Sequence, residues 1–268
     1  MSVLLSTRPH PRGDDYVSFC EGVRKLCGID LLQYKRGQME RRIRTFASNR
    51  GVTDLGAYLE RLQDRAELEA FLDRVTINVS QLWRNPQEWV SLARDVLPDL
   101  AKGGRIKAWS AGSSYGAEAY TLAALVLDTV RGSRAEILGT DIDPRMVARA
   151  RDGRFSAEDA RSAPPEALTR WFERDGDDFV ARRELKAMVR FEAGDLLRMP
   201  FPEGKYDLVL CRNTVIYFTE EVRDALHERL ARSIRPGGYF LIGSTERVSR
   251  TGEIGLEVVR PFLYRKTA

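Results

Sequence analysis

Three cysteines and two histidines are scattered through 268 residues. Cys20, Cys27 and Cys211 lack the spacing of metal ligands, and His10 and His227 do not complete a set. No metal site is expected, and the thiols read as buried side chains in a reducing cytoplasm. No apolar run approaches the ~20 residues that a membrane span needs, so membrane insertion is not expected. The opening Met-Ser-Val-Leu-Leu stretch is too short in its apolar part to read as a secretory signal. A cytoplasmic location is the expectation. There is no internal repeat and no low-complexity tract, and the G-x-G-x-x-G spacing of dinucleotide enzymes does not occur at the first strand–turn–helix.

What is present is an ordinary globular composition, 43% apolar and 31% charged, with a net charge of +4. This length suits one large domain or two unequal ones. Residues 1 to about 14 read as a loose arm. Apolar residues at helical spacing predict helices over 16–26, 33–49, 55–65 and 67–76. The stretch from Lys35 to Arg50, over this second helix and the residue after it, carries Lys35, Arg36, Arg41, Arg42, Arg44 and Arg50 against the single acid Glu40. Such a face is either solvated or a docking surface for something acidic. A polar-aromatic connector, Ile77 to Pro86, leads into a helix over 87–99.

From Gly104 strands and helices alternate, which predicts a mostly parallel, doubly wound α/β sheet. Strands are expected at 106–110, 135–143, 189–192, 206–211 and 239–244, with an antiparallel pair at 254–259 and 262–265. In such sheets the ligand lies beyond the carboxyl ends of the strands. Those ends carry the small-residue turn Ser110–Gly116, then Asp141 and Asp143, Gly194-Asp195-Leu196, Cys211-Arg212-Asn213, and Ser244-Thr245-Glu246. Gly112 and Gly116 let a ligand approach the backbone closely. An acid at the end of the second strand suits a ribose diol, Glu118 suits a positive group, and Asp195 or its neighbouring backbone suits an adenine edge. S-adenosylmethionine answers all three, although Asp141 or Asp143 alone would equally read as a helix cap.

Longer runs then carry a resemblance from about Tyr16 to Tyr264. They are Tyr34-Lys-Arg with Arg41-Arg-Ile-Arg44, Ile77-Asn-Val-Ser-Gln-Leu-Trp-Arg84, Trp109-Ser-Ala-Gly-Ser-Ser-Tyr-Gly-Ala-Glu-Ala-Tyr120, Thr140-Asp-Ile-Asp143, Cys211-Arg-Asn-Thr-Val-Ile-Tyr-Phe218 and Gly243-Ser-Thr-Glu246. The chain resembles the CheR-type chemotaxis receptor methyltransferases. That resemblance implies an all-helical domain over 1–76, a connector and helix over 77–103, and a Rossmann-like class I methyltransferase domain over 104–268 with a small β-subdomain at 164–186. It also implies glutamate O-methylation of the cytoplasmic methylation helices of chemoreceptors by a monomer, with S-adenosylhomocysteine as product and no nucleic acid or metal involved.

Position by position, the resemblance places Asn78, Ser80 and Arg84 in the connector that closes over the cofactor. It places Gly112, Glu118, Asp141, Asp195, Leu196, Asn213 and Thr214 around the cofactor, and Arg84 and Tyr217 nearest the transferred methyl. Lys35, Arg36, Arg41, Arg42 and Arg44 become the substrate-docking face. Three places depart from the family pattern: Ser80 for Thr, Trp83-Arg84-Asn85 for Phe-Arg-Glu, and Tyr115-Gly-Ala117 for Thr-Gly-Glu. The insert around Glu173–Arg183 is compact and lacks a long glycine-rich loop, which implies independence from a receptor pentapeptide tether. The rivals are a nucleic-acid methyltransferase and a non-catalytic cofactor-binding module. The first would need the Asn/Asp-Pro-Pro-Tyr/Phe run that grips a flipped base, which this chain lacks. The second would bind the cofactor without transferring methyl.

Overall fold

The computed structural model describes residues 13–76, 78–130, 132 and 134–267. Most of the expected arm at 1–14, and Ile77 of the connector, lie outside the described residues. The chain divides into two compact units.

The first unit comprises residues up to Asn78 together with Tyr217–Arg223. Its helices are α1 (Asp15–Cys27), α2 (Arg36–Asn49), α3 (Leu55–Arg61) and α4 (Arg65–Thr76), with a 3-10 turn at Leu31–Gln33 before α2. Asp14 caps α1 by accepting from the Tyr16 N–H at 3.1 Å, and Gly28 closes it at φ 81. The i, i+4 rows Phe19/Val23 and Met39/Ile43/Ala47 are all buried, as are Leu55, Tyr58 and Phe71, and the Phe19 ring lies 6.1 Å from Tyr58 and 5.8 Å from Phe71. Helix α3 stops at Arg61, short of the expected 65, because Asp64 starts the next helix by accepting from the Glu67 N–H at 2.9 Å. The Tyr217–Arg223 segment is tied in through the backbone. The Lys35 N–H donates to the Tyr217 carbonyl at 2.8 Å, the Thr219 N–H donates to the Gln33 carbonyl at 3.0 Å, and the Tyr34 and Phe218 rings lie 4.9 Å apart.

The second unit, Val79–Ile216 and Asp224–Ala268, contains the strands β1 (Arg105–Ala111), β2 (Arg134–Asp141), β3 (Arg154–Phe155), β4 (Phe172–Asp175), β5 (Asp178–Ala181), β6 (Val189–Ala193), β7 (Tyr206–Cys211), β8 (Ile234–Ile242), β9 (Leu256–Arg260) and β10 (Leu263–Lys266). Seven form one sheet in the order β6-β2-β1-β7-β8-β10-β9. The first five run parallel, and β10 pairs antiparallel with both β8 and β9. All six residues of β7 are buried, as befits a central strand covered on both faces. The helices are α5 (Pro86–Ser91), α6 (Leu97–Ala101), α7 (Ala117–Thr129), α8 (Pro144–Asp152), α9 (Pro165–Trp171), α10 (Arg183–Lys186) and, from Asp224 on, α11 (Glu220–Ser233). None of the described helices is long and apolar enough to cross a membrane.

Three local departures have physical causes. The helix expected over 87–99 contains a π-helical segment, Leu92–Val96, whose end bonds the Leu97 N–H to the Leu92 carbonyl. Pro98 follows directly and lacks the N–H that would continue a regular turn. Strand β2 ends at Asp141 rather than Asp143, because Asp143 caps α8 by accepting from the Arg145 N–H at 2.9 Å. Strand β8 begins at Ile234, before Pro236-Gly-Gly238, and stops at Ile242. A Cβ at Gly238 would lie 2.7 Å from Ile234 Cγ2 and 2.8 Å from the Asp207 carbonyl oxygen, so glycine lets the irregular strand stay in the sheet. A second, three-stranded sheet of order β3-β5-β4 draws β3 from upstream of Pro164.

Candidate active site

The carboxyl ends of β1, β2, β6 and β7 bring Gly112, Glu118, Asp141, Asp195, Leu196, Asn213 and Thr214 to one side of the sheet of the second unit, which also holds Ser80 and Arg84. Asn78, Tyr217 and the basic helix belong to the first unit.

The turn after β1 is built for close approach. Gly112 has φ 79 and Gly116 φ 87, and Ser114 adopts φ 49 between them. A Cβ on Gly112 would meet the Thr214 side chain, with Cγ2 at 2.9 Å, and one on Gly116 would meet Phe191 at 2.8 Å. The Gly112 and Ser113 N–H groups both donate to the Thr140 carbonyl, at 2.9 and 2.8 Å, which locks the turn against β2. Asp141 is buried and accepts from the Ser114 N–H at 2.7 Å and the Asp143 N–H at 3.0 Å. Burial pushes its carboxyl above the usual range, and the backbone donors only partly offset this. The Ser113 and Ser114 hydroxyls are buried with no hydrogen-bond partner among the described residues. Such orphaned groups in a glycine cradle, beside a carboxylate with spare lone pairs, fit a ligand that brings its own hydroxyls and amines.

At the end of β6, the Asp195 carboxylate accepts from the Leu197 N–H at 2.8 Å and closes a tight turn. Arg229 holds that loop by donating to the carbonyls of Leu196 at 2.8 Å and Met199 at 2.6 Å. After β7, Asn213 takes φ 57, and its N–H donates to Glu246 at 2.9 Å. Glu246 is buried and also accepts from the N–H groups of Gly243 at 2.6 Å and Val215 at 3.2 Å. Burial raises its pKa even so.

The connector forms an arch. Trp83 at φ 52 and Asn85 at φ 57, both unusual for non-glycine residues, flank Arg84. The Trp83 N–H donates to Thr121 Oγ1 at 3.0 Å, and the Arg84 carbonyl accepts from Trp89 Nε1 at 2.9 Å and Arg212 at 2.8 Å. The Arg84 guanidinium is half-buried and donates to the Val79 carbonyl at 3.1 Å. Arg212 donates to Glu88 and to Glu118 Oε2, the latter at 3.2 Å, and Glu118 also accepts from Ser110 Oγ at 2.7 Å. One buried cation facing two carboxylates leaves a net negative site, suited to a cationic group.

Tyr115 opens the Tyr115-Gly-Ala117 departure named above. Its ring is buried, and its hydroxyl accepts from the Ser80 N–H at 3.3 Å. That hydroxyl also lies within donating reach of the Ser80 carbonyl and of Asp159 Oδ1, the latter at 2.8 Å. Arg149 covers the ring at 3.9 Å, and the Leu82 N–H donates to the Asp159 carbonyl at 2.9 Å. The departure therefore ties the connector to the glycine turn. Tyr115→Phe keeps the ring and removes the tie; losing the bonds to Ser80 and Asp159 should weaken S-adenosylmethionine binding by about fivefold and lower the melting temperature by about 2–4 °C. Calorimetric titration and thermal unfolding measure both.

The basic helix is less available than its charge count implies. Arg36 pairs with Asp14 at 2.6 Å and with Glu40 at 2.9 Å, and Arg44 pairs with Asp15 at 2.8 Å and with Glu40 at 2.9 Å. Arg42 lies over the Tyr217 ring at 5.6 Å, and Arg41 is exposed. Among the described residues no cluster of His, Cys, Asp or Glu is arranged to hold a metal. Tyr115, Arg212, Glu246 and Glu88 were given no role from the sequence. Three of them sit inside the runs that carry the resemblance, Trp109–Tyr120, Cys211–Phe218 and Gly243–Glu246, but a contact made by burial has no periodic signature.

Comparison with known families agrees with this geometry. The family model described as CheR methyltransferase, SAM binding domain, matches residues 78–259, and CheR methyltransferase, all-alpha domain, matches residues 14–76. A chemotaxis protein methyltransferase of Listeria monocytogenes is 33% identical over 256 residues, covering 94% of this chain and 97% of that one. Chemotaxis protein methyltransferase 1 of Pseudomonas aeruginosa is 30% identical over 249 residues, covering 88% and 90%. The chain belongs to the CheR family of S-adenosylmethionine-dependent chemotaxis methyltransferases.

Proposed function

We propose that this chain esterifies glutamate side chains of chemoreceptors, in their cytoplasmic methylation helices, without a receptor pentapeptide tether. The observation that carries the reading is the Arg84 arch anchored beside the Glu118–Arg212 pair in the same unit as the glycine turn. S-adenosylmethionine supplies a methyl group on a sulfonium, open to in-line displacement, with S-adenosylhomocysteine as the product.

A glutamate carboxylate is already ionised at neutral pH, so the residues need hold no general base. Their work is alignment and exclusion of water. Arg84 orients the incoming carboxylate through paired N–H donors. It does not stabilise developing charge, since attack of an anion on a cation cancels charge. Asp141 holds the ribose diol, Glu118 the amino group, and Asp195 with Leu196 the adenine edge. Ser80 and Asn78 belong to the connector, and Asn213 and Thr214 to the pocket wall. Tyr217 enters on the resemblance alone. Docking of an acidic helix rests on Lys35, Arg36, Arg41, Arg42 and Arg44, of which Arg36 and Arg44 also bond carboxylates within the chain.

The test is transfer of labelled methyl to receptor-containing membranes. Label released as methanol by mild base is the expected result, and base-stable label on protein or nucleic acid refutes the ester. For tether independence, titration with a receptor C-terminal pentapeptide should give no heat at micromolar concentration; clear heat there refutes that part.

A further inference from the structure

Arg212 is the most deeply buried cation of the site, its side chain 2% exposed, against 12% for each of its carboxylate partners. Its fork reaches three elements. Nε donates to Glu88 on α5 at 2.9 Å, Nη1 to Glu118 on α7 at 3.2 Å, and Nη2 to the Arg84 carbonyl at 2.8 Å. The guanidinium lies 5.0 Å over the Trp89 ring, and the Trp89 indole N–H bonds the same Arg84 carbonyl.

We infer that Arg212 is a positioning residue that couples the two halves of the reaction, fixing the Glu118 carboxylate for the cofactor's amino group and the arch that presents Arg84 to the acceptor. The inference rests on the function proposed above and names the group that sets its geometry. Only a planar fork with several donors bonds two carboxylates and a carbonyl at once; a lysine ammonium supplies charge without the fork. Other charged or titratable groups beside this cluster among the described residues are Arg84 on the connector, Cys211 on β7, Glu246 after β8 and Arg260, which lines the same cavity as Glu88. Burial already holds the Glu88 carboxyl above the usual range with Arg212 in place. Without the cation that lowers it, the Glu88 carboxyl, raised by burial and by the neighbouring Glu118, takes up a proton more readily.

Two variants separate the roles. Arg212→Lys keeps a cation for the two carboxylates and loses the donor to the Arg84 carbonyl, so kcat should fall by about 30-fold while KM for S-adenosylmethionine changes by less than about threefold. Arg212→Met loses both, so kcat falls and S-adenosylmethionine affinity also weakens, by about tenfold. A merely structural arginine would give a lysine variant losing kcat and KM together, or a methionine variant that binds S-adenosylmethionine as the unaltered protein does; either result overturns the inference. Should Arg212→Met fail to fold, Arg212→Lys decides through its kcat–KM split. If the unaltered protein transfers no methyl to receptors, the proposed function fails instead, and the binding loss in Arg212→Met still tests the Glu118 arm.

Discussion

Arg84→Ala is expected to lower turnover by about 10²–10³-fold while changing S-adenosylmethionine affinity by less than about threefold, because orientation of the acceptor is lost and the donor site is not. The structure explains why the two effects separate. The arch around Arg84 is held through backbone and neighbours: the Trp83 N–H on Thr121, the Arg84 carbonyl on Trp89 Nε1 and Arg212, and Asn85 Nδ2 near Ser244 Oγ at 3.4 Å. Truncating the side chain leaves all of these in place. The one side-chain bond lost is that to the Val79 carbonyl at 3.1 Å, on a residue 68% exposed, where water replaces it. Single-turnover kinetics with calorimetric binding measures both quantities. Equal losses in both would refute an orienting role.

Asp141→Ala is expected to weaken S-adenosylmethionine binding by about 10³-fold, from losing two hydrogen bonds to a charged acceptor worth about 2 kcal/mol each. It also orphans the Ser114 and Asp143 N–H groups, at a cost to stability of about 1–3 kcal/mol each where they stay buried. Asp141→Asn separates charge from shape. Burial raises the Asp141 pKa, so on acidification its carboxylate is neutralised at higher pH than an ordinary aspartate. Cofactor affinity of the unaltered protein should therefore fall on the acid side through that raised value, and the asparagine variant should lack this limb. The sign for stability is opposite. Burial favours the protonated form in the folded state, so this group's own contribution is greatest at acid pH and is lost as pH rises through its folded value. Calorimetry across pH and urea unfolding check the two trends.

Periodic features of the fold were open to reading along the chain. Rows such as Phe19/Val23 and Met39/Ile43/Ala47 bury one face of a helix, and that requirement writes a 3.6-residue period into sequence. Strands β1, β2, β6 and β7 were found within a few residues of their ends for the same reason, together with the turns that follow them. Misreadings fell where one atom overrode the pattern: the missing N–H of Pro98 behind the π segment, and the missing Cβ of Gly238 inside β8.

For this protein the order of elements, the parallel sheet, the glycine turn and the acids at the strand ends are properties of the chain itself, because burial periodicity and backbone freedom are local. The tertiary structure alone decided which charges remain available and which hold one another. Arg36 and Arg44, read as docking groups, also pair with Asp14, Asp15 and Glu40. Tyr115 looked like a substitution in the glycine turn and ties it to the connector through Ser80 and Asp159. Arg212, unmarked within its motif, bonds residues 94 and 124 positions away in sequence. Contacts at such separations depend on how strands and helices pack, and a buried ion pair leaves no repeat by which either partner announces the other.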